Sequence, residues 1–179
     1  MAHVYAFEGV SPTLGRDVWL APTATVIGRA VLGDEVSVWF GAVIRADTLS
    51  IEIGARTNIQ DNAVVHITED APIAPGIGTR IGAGVTVGHG AIVHACTIGD
   101  HVLVGMGSIV LDGAVVGDDV LIAAGTLVPP GMIIPSGVVV MGNPAKIKGP
   151  MTDDKRFWSK TASGHYVDYA ARFRRENLG

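Results

Sequence analysis

Residues 98–128 have the sequence IGDHVLVGMGSIVLDGAVVGDDVLIAAGTLV, in which an aliphatic residue returns at every sixth position from Ile98 to Val128. A small or branched residue stands four positions after most of them, and glycine follows several of them directly. Such six-residue repeats are typical of a parallel β-helix, in which each repeat forms one short face and three faces form one coil. Twenty repeats predict between six and seven coils. Their aliphatic positions are Leu14, Leu20, Val26, Leu32, Val38, Ile44, Ile53, Ile59, Val65, Ile81, Val87, Val93, Ile98, Val104, Val110, Val116, Ile122, Val128, Ile134 and Val140.

The composition fits a narrow coil and excludes several function classes. The chain has 24 glycines in 179 residues, which suits tight corners because glycine adopts positive φ at little cost. No apolar run approaches the roughly 18 residues of a membrane-spanning helix, and the first ten residues lack the features of a signal peptide. A net charge of -4 gives no handle for nucleic acid or anionic lipid, so we expect neither a nucleic-acid nor a membrane partner. The single cysteine, Cys96, is expected to be a small buried residue of a cytoplasmic protein.

Two segments depart from the repeat. The interval from Val65 to Ile81 exceeds one repeat by ten residues, and the proline-containing segment 68–78 within it predicts a loop that leaves the coil at a corner. The repeat also ends near residue 150. We therefore expect residues 1–150 to form a β-helix domain and residues 151–179 to form a C-terminal helical tail that packs on it.

The tail carries its own helix signals. Thr152, followed by two aspartates, suits a helix N-terminus. Tyr166, Tyr169, Ala170 and Phe173 fall on one helical face, which predicts one or two packed helices.

The repeat brings two histidines into alignment. Val65 and Val93 are 28 residues apart, which equals one 18-residue coil plus the ten-residue loop. His66 and His94 directly follow these valines, so they are expected at the same place on successive coils, about 4.8 Å apart along the backbone. A metal ion with bonds of about 2.1 Å can bridge imidazoles at that spacing. The register therefore predicts a metal site.

A third histidine lies on a different face of the coil. The same count places Asp61 beneath His89, but the side chain of His89 should point about a third of a turn away from the other pair. One subunit is therefore not expected to gather all three histidines. In a ring of three subunits, His89 of one subunit would meet His66 and His94 of the next. The outward-pointing Trp39 and Phe40 are expected to supply apolar area to that interface.

The nearby polar residues admit two interpretations. The same counting places Arg45 beneath His66, and Asp47, Gln60 and Asp61 fall on the same coils, where they could belong to the site or be solvated surface. Tyr166 could approach the site or simply pack. The remaining histidines have no aligned partner and are not expected to bind metal, namely His3, His101 and His165.

Several motifs together resemble the γ-class carbonic anhydrases and their short-loop bacterial relatives. The motifs are IRAD at residues 44–47, NIQD at residues 58–61, the isolated His66, and His89 followed by His94. The similarity extends over nearly the whole chain. It implies a left-handed parallel β-helix and a homotrimer with metal sites between subunits.

The resemblance also implies a reaction and a role for each residue. His66 and His94 of one subunit and His89 of its neighbour would bind Zn²⁺, or Fe²⁺ or Co²⁺ in some members, and a metal-bound hydroxide would hydrate CO₂ to bicarbonate. The other implied roles are the following: Arg45 would pair with Asp61 across the interface, Asp47 would join their network, Gln60 would orient the metal-bound water, Asn58 would lie nearby, Glu69 would occupy the position of a proton-transfer glutamate, and Tyr166 would approach the metal from the tail.

The sequence also departs from the best-known family pattern. Thr48 stands where that pattern has a glutamate, and the acidic loop is short. Two other functions therefore stay open. One is a hexapeptide acyltransferase or thioesterase acting on acyl-CoA, and the other is a catalytically silent metal-binding trimeric scaffold.

Overall fold

The computed structural model describes residues 2–177. Most strands have only two or three residues, because a corner turn ends each face of the coil after one repeat. The elements are β1 (His3–Tyr5), β2 (Thr13–Leu14), β3 (Trp19–Leu20), β4 (Thr25–Leu32), β5 (Ser37–Val38), β6 (Val43–Ile53), β7 (Asn58–Ile59), β8 (Val64–His66), β9 (Thr79–Ile81), β10 (Thr86–Val87), β11 (Ile92–His94), β12 (Thr97–Ile98), β13 (Leu103–Val104), β14 (Ile109–Val110), β15 (Val115–Val116), β16 (Leu121–Ile122), β17 (Leu127–Val128), β18 (Ile133–Ile134), β19 (Val138–Met141), β20 (Lys146–Pro150) and α1 (Asp153–Arg175).

The strands stack in parallel on three faces. One face contains β3, β5, β7, β10, β13, β16 and β19, and β20 closes its end in the antiparallel direction. We call it the helix-covered face, because α1 packs along it. The other two faces form one continuous sheet, since the long strands β4 and β6 run through the corner between them. The predicted all-β, left-handed parallel β-helix with a helical tail is confirmed, and the seven stacked strands agree with six to seven coils.

The repeat builds the core. Val26, Ile44 and Val65 have no solvent exposure, and they lie on successive coils in direct register. Full burial of such a side chain contributes roughly 1.5–3 kcal/mol, so the stacked aliphatic column accounts for much of the driving force for coiling. The small residue four positions later, such as Ala42, is also buried, where a corner leaves little room.

A bulge interrupts β6 at one corner. Gly28 of β4 pairs with Ala46, whereas Ala30 pairs with Ile51, so Arg29 alone stands opposite residues 47–50. The Nη1 atom of Arg29 donates to the backbone oxygen of Asp47 at 2.6 Å. The three extra residues explain why the six-residue interval slips between Ile44 and Ile53. They also place Asp47 at the corner that follows β8 and β11.

The predicted loop is a short hairpin. Antiparallel bridges join Thr68 to Ile77 and Ala71 to Ala74, and we call residues 68–77 the hairpin. The side chain of Asp70 accepts the Gly76 N–H at 2.7 Å within it.

The tail forms a single helix, α1. Thr152 stands at its N-cap with an extended backbone, as predicted, although its side chain makes no cap hydrogen bond. The rings of Tyr166 and Phe173 each contact Trp39 with centroids 5.2 Å apart. Within residues 2–177, no helix is both long enough and apolar enough to cross a membrane.

The expectation that Trp39 and Phe40 provide apolar area at a subunit interface is wrong for this face. Trp39 is only 5% exposed, and Phe40 packs beside it against Phe173. The helix of the same chain covers both rings, because α1 offers an aromatic face that the β-helix can bury without a partner.

Candidate metal centre

His66 and His94 are stacked as the register predicts. The two residues are paired on β8 and β11, and Nδ1 of His66 lies 3.2 Å from Nε2 of His94. Two nitrogens bound tetrahedrally to one ion at about 2.1 Å lie about 3.4 Å apart, so this separation suits a shared ion. We call the corner that follows β8 and β11 the histidine corner.

Each of these histidines has a carboxylate on its other ring nitrogen. Asp47 Oδ1 lies 3.2 Å from Nε2 of His66, and Asp112 Oδ1 lies 2.7 Å from Nδ1 of His94. Metal-binding histidines commonly donate their second N–H to such a group, which fixes the tautomer and the ring orientation. The two nitrogens that face each other therefore keep their lone pairs, which can bind a metal ion.

Asp112 was not identified from the sequence. Val93 pairs with Val110, only 17 residues later, so the residue in register with His94 is Leu111. Asp112 comes one position further, on the corner turn, from which its side chain reaches back to the imidazole. The regular 18-residue interval leads from His94 to Asp112, whereas the shortened interval puts Leu111 in register and so hid the aspartate.

Burial and the charge of Arg45 keep the imidazole of His66 neutral. Burial lowers the pKa of His66, and the nearby Arg45 lowers it further. Arg45 forms an ion pair with Asp47 in the same chain. Burial alone would raise the pKa of Asp47, but its own backbone N–H and Arg45 together lower it below its usual value. A neutral imidazole beside an ionised carboxylate is the form that binds metal.

Asp112 links the histidine corner to the hairpin. The hydroxyl of Thr68 donates to its second oxygen while His94 holds the first. Partial burial would raise the pKa of Asp112, but these hydrogen bonds lower it. The carboxylate is therefore held ionised by the first residue of the hairpin.

His89 lies at the corner between β10 and β11, which we call the His89 corner. Asp61 Oδ2 lies 2.8 Å from its Nδ1, as the register predicted, and Gln60 Oε1 accepts its backbone N–H at 3.2 Å. The Nε2 of Gln60 donates to Asn58 Oδ1 at 3.1 Å, and Asn58 Nδ2 donates to Thr86 Oγ1 at 2.9 Å. Because Gln60 and Asn58 are nearly fully buried, this chain of amides holds the corner rigidly.

Two further predicted site residues, Tyr166 and Glu69, differ in burial: Tyr166 is partly buried and Glu69 is exposed. Burial raises the pKa of Tyr166, and the charge of Asp61 raises it further, so the phenol stays protonated near neutral pH. Glu69 is exposed in the hairpin, and the contacts that join Asp47, His66, His94 and Asp112 do not include it.

The predicted ligands do not meet within one chain. Among residues 2–177, no group of three or more His, Cys, Asp or Glu side chains is placed to hold a metal ion. His66 and His94 offer two nitrogens at the histidine corner, and His89 offers a third at another corner. The donor chemistry fits Zn²⁺, Fe²⁺ or Co²⁺, which bind imidazole well, but within one chain these donors lie at two separate corners.

An apolar groove begins at the His89 corner. Its volume is about 330 Å³, and it runs between α1 and the helix-covered face. The residues that line it include Leu103, Leu121, Met106, Ala162, Gln60 and His89. The sequence did not predict this groove, because it depends on where α1 packs.

Coils built from six-residue repeats, with histidine–carboxylate pairs at their corners, define a hexapeptide-repeat protein with a candidate metal centre. The bacterial transferase hexapeptide family (six repeats) matches residues 95–130. A crystal structure of a hexapeptide transferase family protein from Anaplasma phagocytophilum superposes with a TM-score of 0.88 at 38% identity, covering 96% of this chain and 98% of that one.

Two curated relatives narrow the class. The mitochondrial gamma carbonic anhydrase 2 of Arabidopsis thaliana is 42% identical over 93% of this chain, and the chain spans 60% of its length. The carbonic anhydrase of Geobacillus kaustophilus (strain HTA426) is 40% identical over 84% of this chain and 80% of its own length. The chain belongs to the γ-class carbonic anhydrase-like family of hexapeptide-repeat proteins.

Proposed function

We propose that this chain is a metal-dependent carbonic anhydrase that hydrates CO₂ to bicarbonate at sites shared between the subunits of a homotrimer. The observation that carries the proposal is the pair of nitrogens at the histidine corner, 3.2 Å apart, with a carboxylate on the far side of each ring. The curated relatives support the reaction, since their names describe carbonic anhydrases at about the same identity.

His66 and His94 of one subunit and His89 of the next would hold the ion. When bound, Zn²⁺ or a similar ion lowers the pKa of water to about 7 and so makes hydroxide available near neutral pH. The division of the donors between two corners supports a ring of subunits, because a contact between different corners closes when the rotation per subunit is a third of a turn.

The carboxylates have a positioning role in this proposal. Asp47, Asp112 and Asp61 each hold one nitrogen of a histidine, which leaves the opposite nitrogen free and its ring fixed. Three imidazoles, each with a carboxylate on its far side, would retain a divalent cation and still leave an open position for water.

Gln60 would orient the reacting oxygen. One N–H of its amide is used by Asn58, and its oxygen accepts the backbone N–H of His89. A primary amide has a second N–H, which can donate to water or to an oxygen of CO₂. Because both hydrogen bonds fix the amide plane, that donor would be preorganised.

Hydration of CO₂ also releases a proton that must reach solvent. Glu69 would exchange this proton with bulk water, and its exposure directly after Thr68, which contacts Asp112, supports that role. Tyr166, on α1, would act as a hydrogen-bond donor, because its raised pKa keeps the phenol protonated.

Stopped-flow CO₂ hydration tests the proposal. Protein purified without oxygen is loaded separately with Zn²⁺ and Fe²⁺, and the bound metal is quantified. We expect hydration that depends on metal and is abolished in His94→Ala, whereas His165→Ala, which changes an exposed histidine of α1, should retain it. Full metal loading without turnover would contradict the enzyme and favour a metal-binding scaffold.

Acyl transfer is the second candidate function. The family match and the Anaplasma structure are both described as transferases, and the groove beside His89 is apolar. Release of coenzyme A from short acyl-CoA thioesters by the same preparations would favour this function, particularly if it persisted after the metal was removed.

A further inference from the structure

We propose that the hairpin of one subunit inserts its tip, Ile73, into the apolar groove of the adjacent copy. The inference rests on the proposed function, because it needs the neighbour that completes the metal site. It assigns an occupant to a groove and a purpose to a hairpin that the reaction itself leaves unexplained.

The tip is the first observation. Ile73 is 97% exposed, more than any other large apolar side chain among residues 2–177. It stands between Pro72 and Ala74 at the end of the hairpin, and two antiparallel bridges hold the hairpin in shape. A preformed arm with an isolated apolar tip loses little conformational freedom on docking.

The groove is the second observation. Leu103, Leu121 and Ala162 give it apolar walls, and Met106 at its edge is 57% exposed. Its volume of about 330 Å³ is ample for a branched aliphatic side chain. The flexible side chain of Met106 can adapt to such a side chain, and the apolar walls present no polar groups that need partners.

The hairpin and the groove each lie beside a histidine of the proposed shared metal site. The hairpin starts two residues after His66, whereas His89 is one of the residues that line the groove. A metal site that joins these two histidines across an interface also brings the hairpin of one copy to the groove of the next.

The base of the hairpin and the groove also lie at the same level along the axis of the β-helix. Thr68 contacts Asp112, so the base of the hairpin reaches the corner that follows β14. Met106 lies on the corner that precedes β14, in the same coil. If the copies are related by an axis parallel to the β-helix axis, corresponding coils lie at equal heights, so the base of the hairpin lies at the level of the groove of the next copy.

Cysteine crosslinking between chains tests the inference. A chain with Ile73→Cys is co-expressed with a differently tagged chain that carries Met106→Cys, and a disulfide is allowed to form. The native Cys96 is buried and does not interfere. We expect a crosslinked pair that contains one chain of each kind, because docked residues bring their Cα atoms within roughly 7 Å.

Ile133→Cys in place of Ile73→Cys is the matched control, since Ile133 is an isoleucine of β18 that is 74% exposed away from the hairpin. Equal yields for the two positions, or no mixed pair, would overturn the inference. So would an intrachain disulfide in a single chain that carries both Ile73→Cys and Met106→Cys.

A second measurement uses charge. Ile73→Asp should weaken subunit association by about tenfold or more in sedimentation equilibrium, whereas Ile133→Asp should leave it unchanged. Recovery of metal in mixed His66→Ala and His89→Ala trimers separates the two proposals. Recovery without crosslinking would mean that the shared site is right and the docked hairpin is wrong. A crosslink without recovery of metal would mean that the hairpin docks in the groove and that the shared metal site is wrong.

Discussion

Asp112 Oδ1 lies 2.7 Å from Nδ1 of His94. The carboxylate is ionised, since its hydrogen bonds with Thr68 and His94 outweigh its partial burial and lower its pKa. An ionised carboxylate only accepts, so Nδ1 carries the proton and Nε2 carries the lone pair. One aspartate on the next coil thus determines which nitrogen of His94 faces His66.

Asp112→Asn should weaken metal binding. The amide keeps the size of the side chain but can present an N–H to Nδ1, which would place the proton on Nε2 and block the donor. Loss of such a carboxylate partner typically costs about 10- to 100-fold in metal affinity. Competition with a chromophoric chelator for Co²⁺ measures this loss, and the visible spectrum of bound Co²⁺ should also change.

Asp118→Asn is the matched control for that measurement. Asp118 is also a corner aspartate, and it accepts the Asp100 N–H at 2.8 Å away from the histidines. Its asparagine keeps that acceptor oxygen. An equal affinity for wild type, Asp112→Asn and Asp118→Asn would show that Asp112 does not position His94.

Phe173→Ala should detach the end of α1 from the β-helix. Its ring contacts Trp19, Trp39 and Phe40. Because Phe173 is only partly buried, we expect a loss of about 2 kcal/mol in the free energy of unfolding, below the range for fully buried phenylalanines. Urea denaturation followed by tryptophan fluorescence measures the loss.

Phe157→Ala provides the comparison on the same helix. Phe157 is 60% exposed, so its removal should change the free energy of unfolding by less than about 0.5 kcal/mol. Similar losses for both variants would mean that helix propensity, rather than aromatic packing on the coil, dominates the stability of α1.

Cys96 should make stability fall at high pH. Burial raises the pKa of its thiol from 9.0 to about 12. The unfolded chain therefore loses the thiol proton at a lower pH than the folded chain does. The free energy of unfolding should decline by up to about 1.4 kcal/mol per pH unit above pH 9 relative to Cys96→Ala, which lacks this term.

The same burial predicts the reactivity of the thiol. At pH 8, iodoacetamide should leave the folded protein unmodified, and it should alkylate one cysteine per chain in denaturant. Rapid alkylation of the folded protein, or parallel stability curves for wild type and Cys96→Ala above pH 9, would show that Cys96 is accessible.

The stacking of His66 on His94 could be predicted because a β-helix converts sequence intervals directly into spatial register. The same rule predicted Asp61 beside His89, and both contacts are present. Asp112 was not predicted because the interval between Val93 and Val110 is one residue short, which puts Leu111 rather than Asp112 in register with His94. Periodicity locates a residue on a coil, but a slip in the interval moves side chains around a corner.

The sequence pattern could not predict contacts between segments that are far apart in the chain. The period correctly indicated that Trp39 lies outside the coil, yet it could not show that Phe173 covers it, because that contact joins segments with different periods. The groove lined by Leu103 and Ala162 was not predicted for the same reason. Whether Glu69 serves as a proton carrier stays a prediction, since the hairpin that carries it has a shape that the repeat does not determine.

The most direct test of the shared metal site is the metal content of mixed trimers. A subunit with His89→Ala keeps His66 and His94, and a subunit with His66→Ala keeps His89, so neither forms an intact site alone. Random co-assembly at equal amounts gives about three quarters mixed trimers, each with one intact site in three, so about a quarter of all sites should bind metal. Metal content that stays at the background of the separate variants would contradict a site built between subunits.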